Sequence, residues 1–196
     1  MTLLSFIKLF EKLNSYLEKI LINNKIKIKN VRFEMNPRNT RWGQRPLSYI
    51  QKIIVHQELG WGTAEQVHKY HISEKSHLKL GTGAPSIAYH YVIEVDGEIL
   101  HVNDDTAITW HCAGQNLHSV GIMLVGDFPG PGHEGTGKPS IEQKESLKKL
   151  LNHLTSELKL KNTDVYSHNQ FGKPACPGYT ITRFITEYNW NGKTRI

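Results

Sequence analysis

Cysteine is scarce in this sequence: only Cys112 and Cys176 occur among 196 residues. Two cysteines cannot build the disulfide framework of a small secreted domain, and nothing in their surroundings predicts that they pair. Each thiol is therefore open to a role in metal binding or catalysis, or to plain burial as a small apolar side chain. Histidine, by contrast, occurs 11 times, which favours metal chemistry but also makes accidental spacings common.

Long apolar runs are also lacking. The apolar stretch at the N-terminus is interrupted by five charged residues: Lys8, Glu11, Lys12, Glu18 and Lys19. A spanning helix needs about 20 predominantly apolar residues, so we expect no transmembrane segment. The charges, and the lack of a small-residue cleavage site after them, also predict that there is no signal peptide. Apolar residues recur here at helical spacing, which predicts an amphipathic helix that packs on the domain or on a protein partner, with a membrane surface as the alternative.

Acidic residues are fewer than basic ones, 18 against 24, which gives a net charge of +6. This charge suits an anionic polymer such as nucleic acid or an acidic cell wall. The basic residues are spread along the chain, and no recognition helix, zinc-finger spacing or aromatic RNA-binding signature accompanies them. We therefore expect no nucleic-acid partner. A nucleic-acid-binding protein is an alternative that net charge alone supports.

The apolar pattern predicts several strands. Residues 52–57 (KIIVHQ) and 119–128 (SVGIMLVGDF) are short apolar runs typical of buried strands. Residues 86–102 alternate on either side of Asp96-Gly97, which predicts a hairpin with a two-residue turn. Residues 163–168 are expected to form a last strand that ends at His168.

Helix signals separate these strands. Thr63 is a candidate cap for a helix over 63–72, and Ser140 with Gln143 forms a capping box before a leucine stripe. A further helix is expected after Cys176-Pro177-Gly178. The sequence thus predicts an α/β fold, in which helices flank a central mixed β-sheet.

We divide the chain into three parts. Residues 1–30 are the N-terminal amphipathic helical extension, and residues 31–50 are a connector that carries turn signals at Asn36-Pro37 and in RWGQRP (41–46). Residues 51–196 form the single main domain.

The segment SHNQFGKPACPG (167–178) places His168, Lys173 and Cys176 within nine residues. Zinc takes thiolate and imidazole ligands, and a catalytic zinc site uses three of them with water in the fourth position. His168 and Cys176 are two candidate ligands, and His56, which also ends a predicted strand, is a third. The spacing alone leaves other interpretations open: each histidine making one ordinary hydrogen bond, and Cys176 being a buried thiol before a helix.

Five segments follow one another in an informative order. They are IIVHQ (53–57), IAYHYVIEVDG (87–97), TWHCAGQNLHSVGIMLVGDF (109–128), an amphipathic helix and SHNQFGKPACPG (167–178). Together they resemble the type-2 N-acetylmuramoyl-L-alanine amidases, which include phage lysozyme-amidases and animal peptidoglycan recognition proteins. The resemblance covers residues 40–190, and residues 1–30 lie outside it.

The resemblance implies a zinc-dependent hydrolase that cleaves the amide between N-acetylmuramic acid and L-alanine of the peptidoglycan stem peptide. It implies zinc ligands at His56, His168 and Cys176, a catalytic Tyr89 beside the metal, and His111 in the substrate groove. With no export signal expected, an endolysin-like lytic enzyme that acts at the bacterial cell wall fits best. The alternative is a non-catalytic peptidoglycan-binding protein, although the retained cysteine favours the enzyme.

The sequence departs from the family pattern at three positions. Met123 stands where many members carry a glutamate general base. Pro174 stands where phage enzymes carry a lysine, and Lys173 lies one residue earlier, so Lys173 is either a catalytic residue on a shifted loop or a surface lysine. Cys112 stands where a small residue is common, and is either a fourth zinc ligand or, as we expect, a buried thiol.

Overall fold

The computed structural model describes residues 26–35, 41–78 and 82–193, together with residues 5, 10 and 13. The amphipathic helix predicted for residues 1–30 lies almost wholly outside the described residues. Within the described part of the chain, no helix has both the length and the apolar character required to cross a bilayer.

The fold contains a central six-stranded mixed sheet and a separate two-stranded sheet. In chain order the strands are β1 (Lys29–Asn30), β2 (Gly43–Gln44), β3 (Lys52–Gln57), β4 (Tyr91–Ile93), β5 (Ile99–His101), β6 (Ala107–Ile108), β7 (Ser119–Leu124) and β8 (Val165–Ser167). The sheet has the spatial order β1-β5-β4-β7-β3-β8, while β2 and β6 form a separate antiparallel pair. Within the large sheet only β4 and β5 pair antiparallel. The predicted mixed sheet is confirmed.

Three α-helices lie within the described residues: α1 (Ala64–His71), α2 (Ile141–Glu157) and α3 (Tyr179–Lys193). Both predicted caps are present, because the side-chain oxygens of Thr63 and Ser140 each accept a hydrogen bond from the backbone N–H of the glutamine three residues later. The side-chain oxygen of that glutamine accepts in turn from the backbone N–H of the cap residue. Such reciprocal bonds satisfy amide groups that would otherwise be unpaired at a helix start.

Helices cover both faces of the sheet. Ile53 and Val55 of β3 point to the face where the buried leucines of α2 and the apolar side of α3 pack. Met123 of β7 points to the opposite face, with Ala64 and Val67 of α1. Because side chains alternate along a strand, His56 also points to the α1 face, and it lies in register with Met123.

The hairpin between β4 and β5 differs from its prediction. The predicted two-residue turn at Asp96-Gly97 was wrong: the Glu94 N–H donates to the Glu98 carbonyl, and the Gly97 N–H donates to the Glu94 carbonyl. Val95 and Asp96 therefore occupy the centre of the turn. Gly97 follows with φ 85°, a left-handed conformation that glycine adopts without steric cost.

Residues from the predicted extension and connector contribute to these sheets. β1 pairs in parallel with β5, and β2 pairs with β6. The Arg45 side chain is buried and donates hydrogen bonds to the backbone carbonyls of Asp105 and Ser119, at 3.0 and 2.8 Å. Arg45 thus ties the chain before β3 to the start of β7.

Candidate metal centre and its cleft

Three side chains of the kinds that bind zinc meet at the carboxyl end of the sheet. His56 lies near the end of β3, His168 directly follows β8, and Cys176 lies three residues before α3. His56 Nδ1 is 3.0 Å from His168 Nδ1 and 3.9 Å from Cys176 Sγ. One ligand atom from each residue lies within 4.8 Å of the other two, and no other group of this kind was found among the described residues.

The two donor separations around His56 Nδ1 fit a tetrahedral zinc ion. With zinc bonded at about 2.05 Å to nitrogen and 2.3 Å to sulfur, tetrahedral geometry separates two nitrogens by about 3.3 Å and a nitrogen from a sulfur by about 3.6 Å. The separations of 3.0 and 3.9 Å around His56 Nδ1 are close to those values. Two imidazoles and one thiolate also leave a fourth position free, as catalytic zinc sites do.

The protonation states of the two histidines suit metal binding. Burial lowers the pKa of His56 well below its usual value, and the neighbouring His111 and His168 lower it further. Burial, followed by the charge of Lys173, lowers the pKa of His168 to about 4. Both imidazoles are therefore neutral at neutral pH, and only a neutral imidazole has a lone pair to offer a metal.

Cys176 needs a cation to ionise. Burial raises the pKa of its thiol to about 12, although a hydrogen bond from the Gln57 backbone N–H partly offsets this effect. That bond is 3.4 Å long. A coordinated metal ion deprotonates a thiol outright, so Cys176 is neutral without a metal and would become a thiolate if a metal ion bound here.

Gln57 is a buried residue of the site that the sequence did not indicate. Its side-chain amide donates to the Ala175 carbonyl at 2.7 Å and to the Phe128 carbonyl at 3.2 Å. Its side-chain oxygen accepts from the Phe128 N–H. Gln57 thereby fastens the loop that carries Cys176 to the end of β3, where His56 lies.

A cleft of about 520 Å³ opens beside the three candidate ligands. Tyr89 lines it, with its ring centroid 5.1 Å from that of His56. Burial, and then the nearby Cys176 and Glu58, raise the pKa of Tyr89, so its hydroxyl stays protonated and able to donate. Lys173 also lines the cleft, although it lies one residue before the position usual in phage enzymes.

His111 and Cys112 differ in their relation to the site. His111 is buried, lines the cleft and places its Nδ1 3.0 Å from His56 Nε2. Cys112 is also buried, and burial raises its pKa, but it does not belong to the group of three donor residues. This arrangement supports the expectation that Cys112 is a packed thiol.

Glu58 was missed in the sequence, and it is the one carboxylate among the described residues that line the cleft. Its Oε1 accepts a hydrogen bond from the Gly62 N–H at 3.1 Å, whereas its Oε2 is buried without a hydrogen-bond partner. Burial raises the pKa of this half-buried carboxyl. The only signal in the sequence was its position two residues after His56.

An aromatic group next to Tyr89 was also missed in the sequence, and its His71 ring centroid lies 5.9 Å from that of Tyr89. Tyr70, His71 and His77 line the cleft together. The Tyr70 hydroxyl lies 3.2 Å from His77 Nδ1, and His71 Nδ1 accepts from the Ala88 N–H at 3.1 Å. These residues give the cleft a wall that offers both ring faces and polar atoms to a ligand.

Known proteins share this fold and part of this sequence. The endolysin of Enterobacteria phage T3 is 28% identical over 148 residues, which cover 71% of this chain and 88% of the endolysin. The amidase LysC from Clostridium intestinale has a similar structure, with a TM-score of 0.63 and 21% identity over 84% of this chain and 99% of LysC. Peptidoglycan recognition protein LE, solved in complex with tracheal cytotoxin, gives a TM-score of 0.66 and 16% identity over 82% of this chain and 92% of its own. Residues 45–179 match the family model described as N-acetylmuramoyl-L-alanine amidase, and the chain therefore belongs to that family.

Proposed function

We propose that this protein is a zinc-dependent N-acetylmuramoyl-L-alanine amidase that hydrolyses the bond between N-acetylmuramic acid and L-alanine in bacterial peptidoglycan. The observation that carries the proposal is the group of His56, His168 and Cys176 beside an open cleft, in a chain of this family. Similarity to the phage T3 endolysin supports a lytic role at the cell wall.

Each residue of the site has a task in this reaction. Bound zinc would supply a hydroxide nucleophile at neutral pH and polarise the scissile carbonyl. His56 and His168 would hold the ion as neutral ligands, and the Cys176 thiolate would offset one of its charges. Tyr89 would donate a hydrogen bond to the carbonyl oxygen as negative charge develops there. Lys173, at the edge of the cleft, would add a positive charge on the same side as His168.

Removal of the Tyr89 hydroxyl is expected to slow the reaction and leave the metal site intact. A donor to the developing oxyanion contributes about 10²–10³-fold to kcat, so Tyr89→Phe is expected to lose about that factor. Zinc content and KM are expected to stay near wild type. Tyr188→Phe is the matched control, because its hydroxyl bonds Asn152 on the far face of the sheet. An unchanged kcat in Tyr89→Phe would rule out the oxyanion role.

Glu58 is our candidate for the group that accepts a proton from the attacking water. The family's usual glutamate position is Met123, a fully buried apolar residue here, which leaves Glu58 as the carboxylate of the cleft wall. Proton transfer by a positioned side chain contributes about 10²–10⁴-fold, so we expect Glu58→Gln to lower kcat by about 10²-fold with its zinc retained.

The control for Glu58→Gln is Glu65→Gln, which removes an exposed carboxylate of α1 that pairs with Lys69. Steady-state rates and bound zinc are measured on both variants. A wild-type rate in Glu58→Gln would show that the proton passes to another acceptor.

The amidase reaction is tested with purified peptidoglycan. The enzyme would release stem peptides that carry a free N-terminal L-alanine, and a chelator would stop the release. A second function, non-catalytic binding of peptidoglycan, is favoured by the similarity to peptidoglycan recognition protein LE in its complex with tracheal cytotoxin. In that case the protein would sediment with the insoluble wall while no alanine termini appear.

A further inference from the structure

The two ring nitrogens of His56 face different neighbours. Nδ1 faces His168 Nδ1 at 3.0 Å and Cys176 Sγ at 3.9 Å. Nε2 points the other way and lies 3.0 Å from His111 Nδ1. The His56 and His111 rings meet edge to face, with an interplanar angle of 88°. Only Nδ1 of His56 can therefore join the group of candidate ligands. It can do so when the ring proton of His56 resides on Nε2.

The other nitrogen of His111 shows where the protons lie. His111 Nε2 is 3.1 Å from Ser119 Oγ and 3.4 Å from the Ser119 carbonyl oxygen. Ser119 Oγ itself donates to the Gln115 carbonyl at 2.8 Å, so its single proton is already committed. Both oxygens can then only accept, and His111 Nε2 must be the donor.

These bonds determine which atom donates in each hydrogen bond of the series Ser119–His111–His56. A neutral imidazole carries one proton, so His111, with its proton on Nε2, accepts at Nδ1. His56 must then donate from Nε2, and its own Nδ1 carries a lone pair. That lone pair points toward His168 and Cys176.

The position of His111 is itself tightly restrained. Its side chain is buried, and its ring packs against Gly121 of β7, where a Cβ atom would come within 2.6 Å of the ring. A ring held in one place by such packing can fix the tautomer of its neighbour.

We propose that His111 is a positioning residue for zinc, which holds the His56 proton on Nε2 through the hydrogen-bonded chain Ser119–His111–His56 and so presents His56 Nδ1 to the metal. The proposal rests on the zinc site of the proposed function but not on amidase activity. Partners that orient a metal-binding histidine typically contribute 10–100-fold to metal affinity. This role requires no contact between His111 and substrate.

Zinc affinity of the purified full-length protein, measured by competition with a chromophoric chelator, tests the proposal. His111→Leu keeps an apolar side chain of similar bulk but removes the acceptor, and we expect zinc to bind about 10–100-fold more weakly. His111→Asn restores an acceptor near the Nδ1 position and is expected to recover most of the affinity. Cys112→Ala, next in the chain but outside the hydrogen-bonded series, serves as the control. Wild-type zinc affinity in His111→Leu would overturn the proposal.

The His56 tautomer gives a second readout that needs no variant. Long-range proton–nitrogen NMR correlations of the wild-type protein are expected to show the proton of His56 on Nε2, with and without zinc. A proton on Nδ1 in the metal-free protein would contradict the chain described above, even if His111→Leu did not fold.

Kinetics separate this role from direct substrate contact. A substrate-binding His111 predicts a raised KM at unchanged zinc affinity, whereas a positioning His111 predicts weaker zinc binding and a rate that excess zinc restores. If the wild type binds zinc tightly but releases no alanine, the amidase reaction fails and the positioning role stands. If the wild type binds no zinc, both fail.

Discussion

Cys176→Ala is expected to lose bound zinc and amidase activity together. Cys176 is the only thiol in the group of three donors, and its Sγ lies 3.9 Å from His56 Nδ1. Its loss leaves two imidazoles, too few for a stable zinc site, and removes the charge that offsets the ion. We expect less than about a tenth of the wild-type zinc content and at least a 10³-fold lower rate of alanine release, since hydroxide formation at neutral pH depends on the metal.

Cys112→Ala is the matched control for this prediction. It removes the other thiol of the chain, which is also buried, with 2% of its surface exposed against 8% for Cys176. We expect this variant to keep its zinc and its activity and to lose only some stability from the small cavity. Zinc loss in Cys112→Ala would indicate a fourth thiolate ligand and a closed site. Full zinc content in Cys176→Ala would mean that the metal binds elsewhere.

The metal-free protein is expected to lose stability steeply as the pH falls below about 6.5. Burial lowers the pKa of His71 to about 4 and that of His111 to about 3. Because these folded-state values lie below the unfolded value of about 6.5, protonation favours the unfolded chain. The stability is fully present above about pH 6.5 and is lost as the pH falls toward the lowered values. Between about pH 6.5 and its lowered pKa, each such histidine reduces the free energy of unfolding by roughly 1.4 kcal/mol per pH unit.

Urea unfolding of the chelator-treated protein checks this prediction. For His71 and His111 alone, the free energy of unfolding is expected to fall by roughly 2–3 kcal/mol between about pH 7 and pH 5.5. His71→Asn retains an acceptor for the Ala88 N–H, which His71 Nδ1 binds at 3.1 Å. In this variant the free energy of unfolding is expected to fall less between the two pH values, because one of the two buried histidines has been removed. Equal stability of the wild type at both pH values would show that these rings are not held neutral.

Local sequence determined the elements that were predicted well. KIIVHQ contains three consecutive β-branched apolar residues, Ile53 to Val55, and β3 spans all six residues. The capping boxes of Thr63 and Ser140 need only four consecutive residues, and both are present. His56 and His168 meet because they lie at the carboxyl ends of β3 and β8, which pair as adjacent parallel strands.

The rest of the site depends on contacts between distant residues. Gln57 reaches Ala175, 118 residues away, and His56 reaches His111, 55 residues away. Neither contact leaves a local pattern, because each follows from how β3, β7 and the loop before α3 are brought together. The three-residue turn at Val95–Gly97 is closed by the bonds from the Glu94 N–H to the Glu98 carbonyl and from the Gly97 N–H to the Glu94 carbonyl.

A zinc titration of the metal-free protein, with alanine release from purified peptidoglycan measured at each step, tests the zinc-dependent amidase most directly. We predict that release rises with added zinc, reaches its plateau at one zinc per chain, and stays absent in Cys176→Ala at the same zinc concentrations. Full release by the metal-free protein would contradict the role of zinc. No release at saturating zinc, from a protein that still sediments with peptidoglycan, would contradict the amidase and leave a peptidoglycan-binding protein.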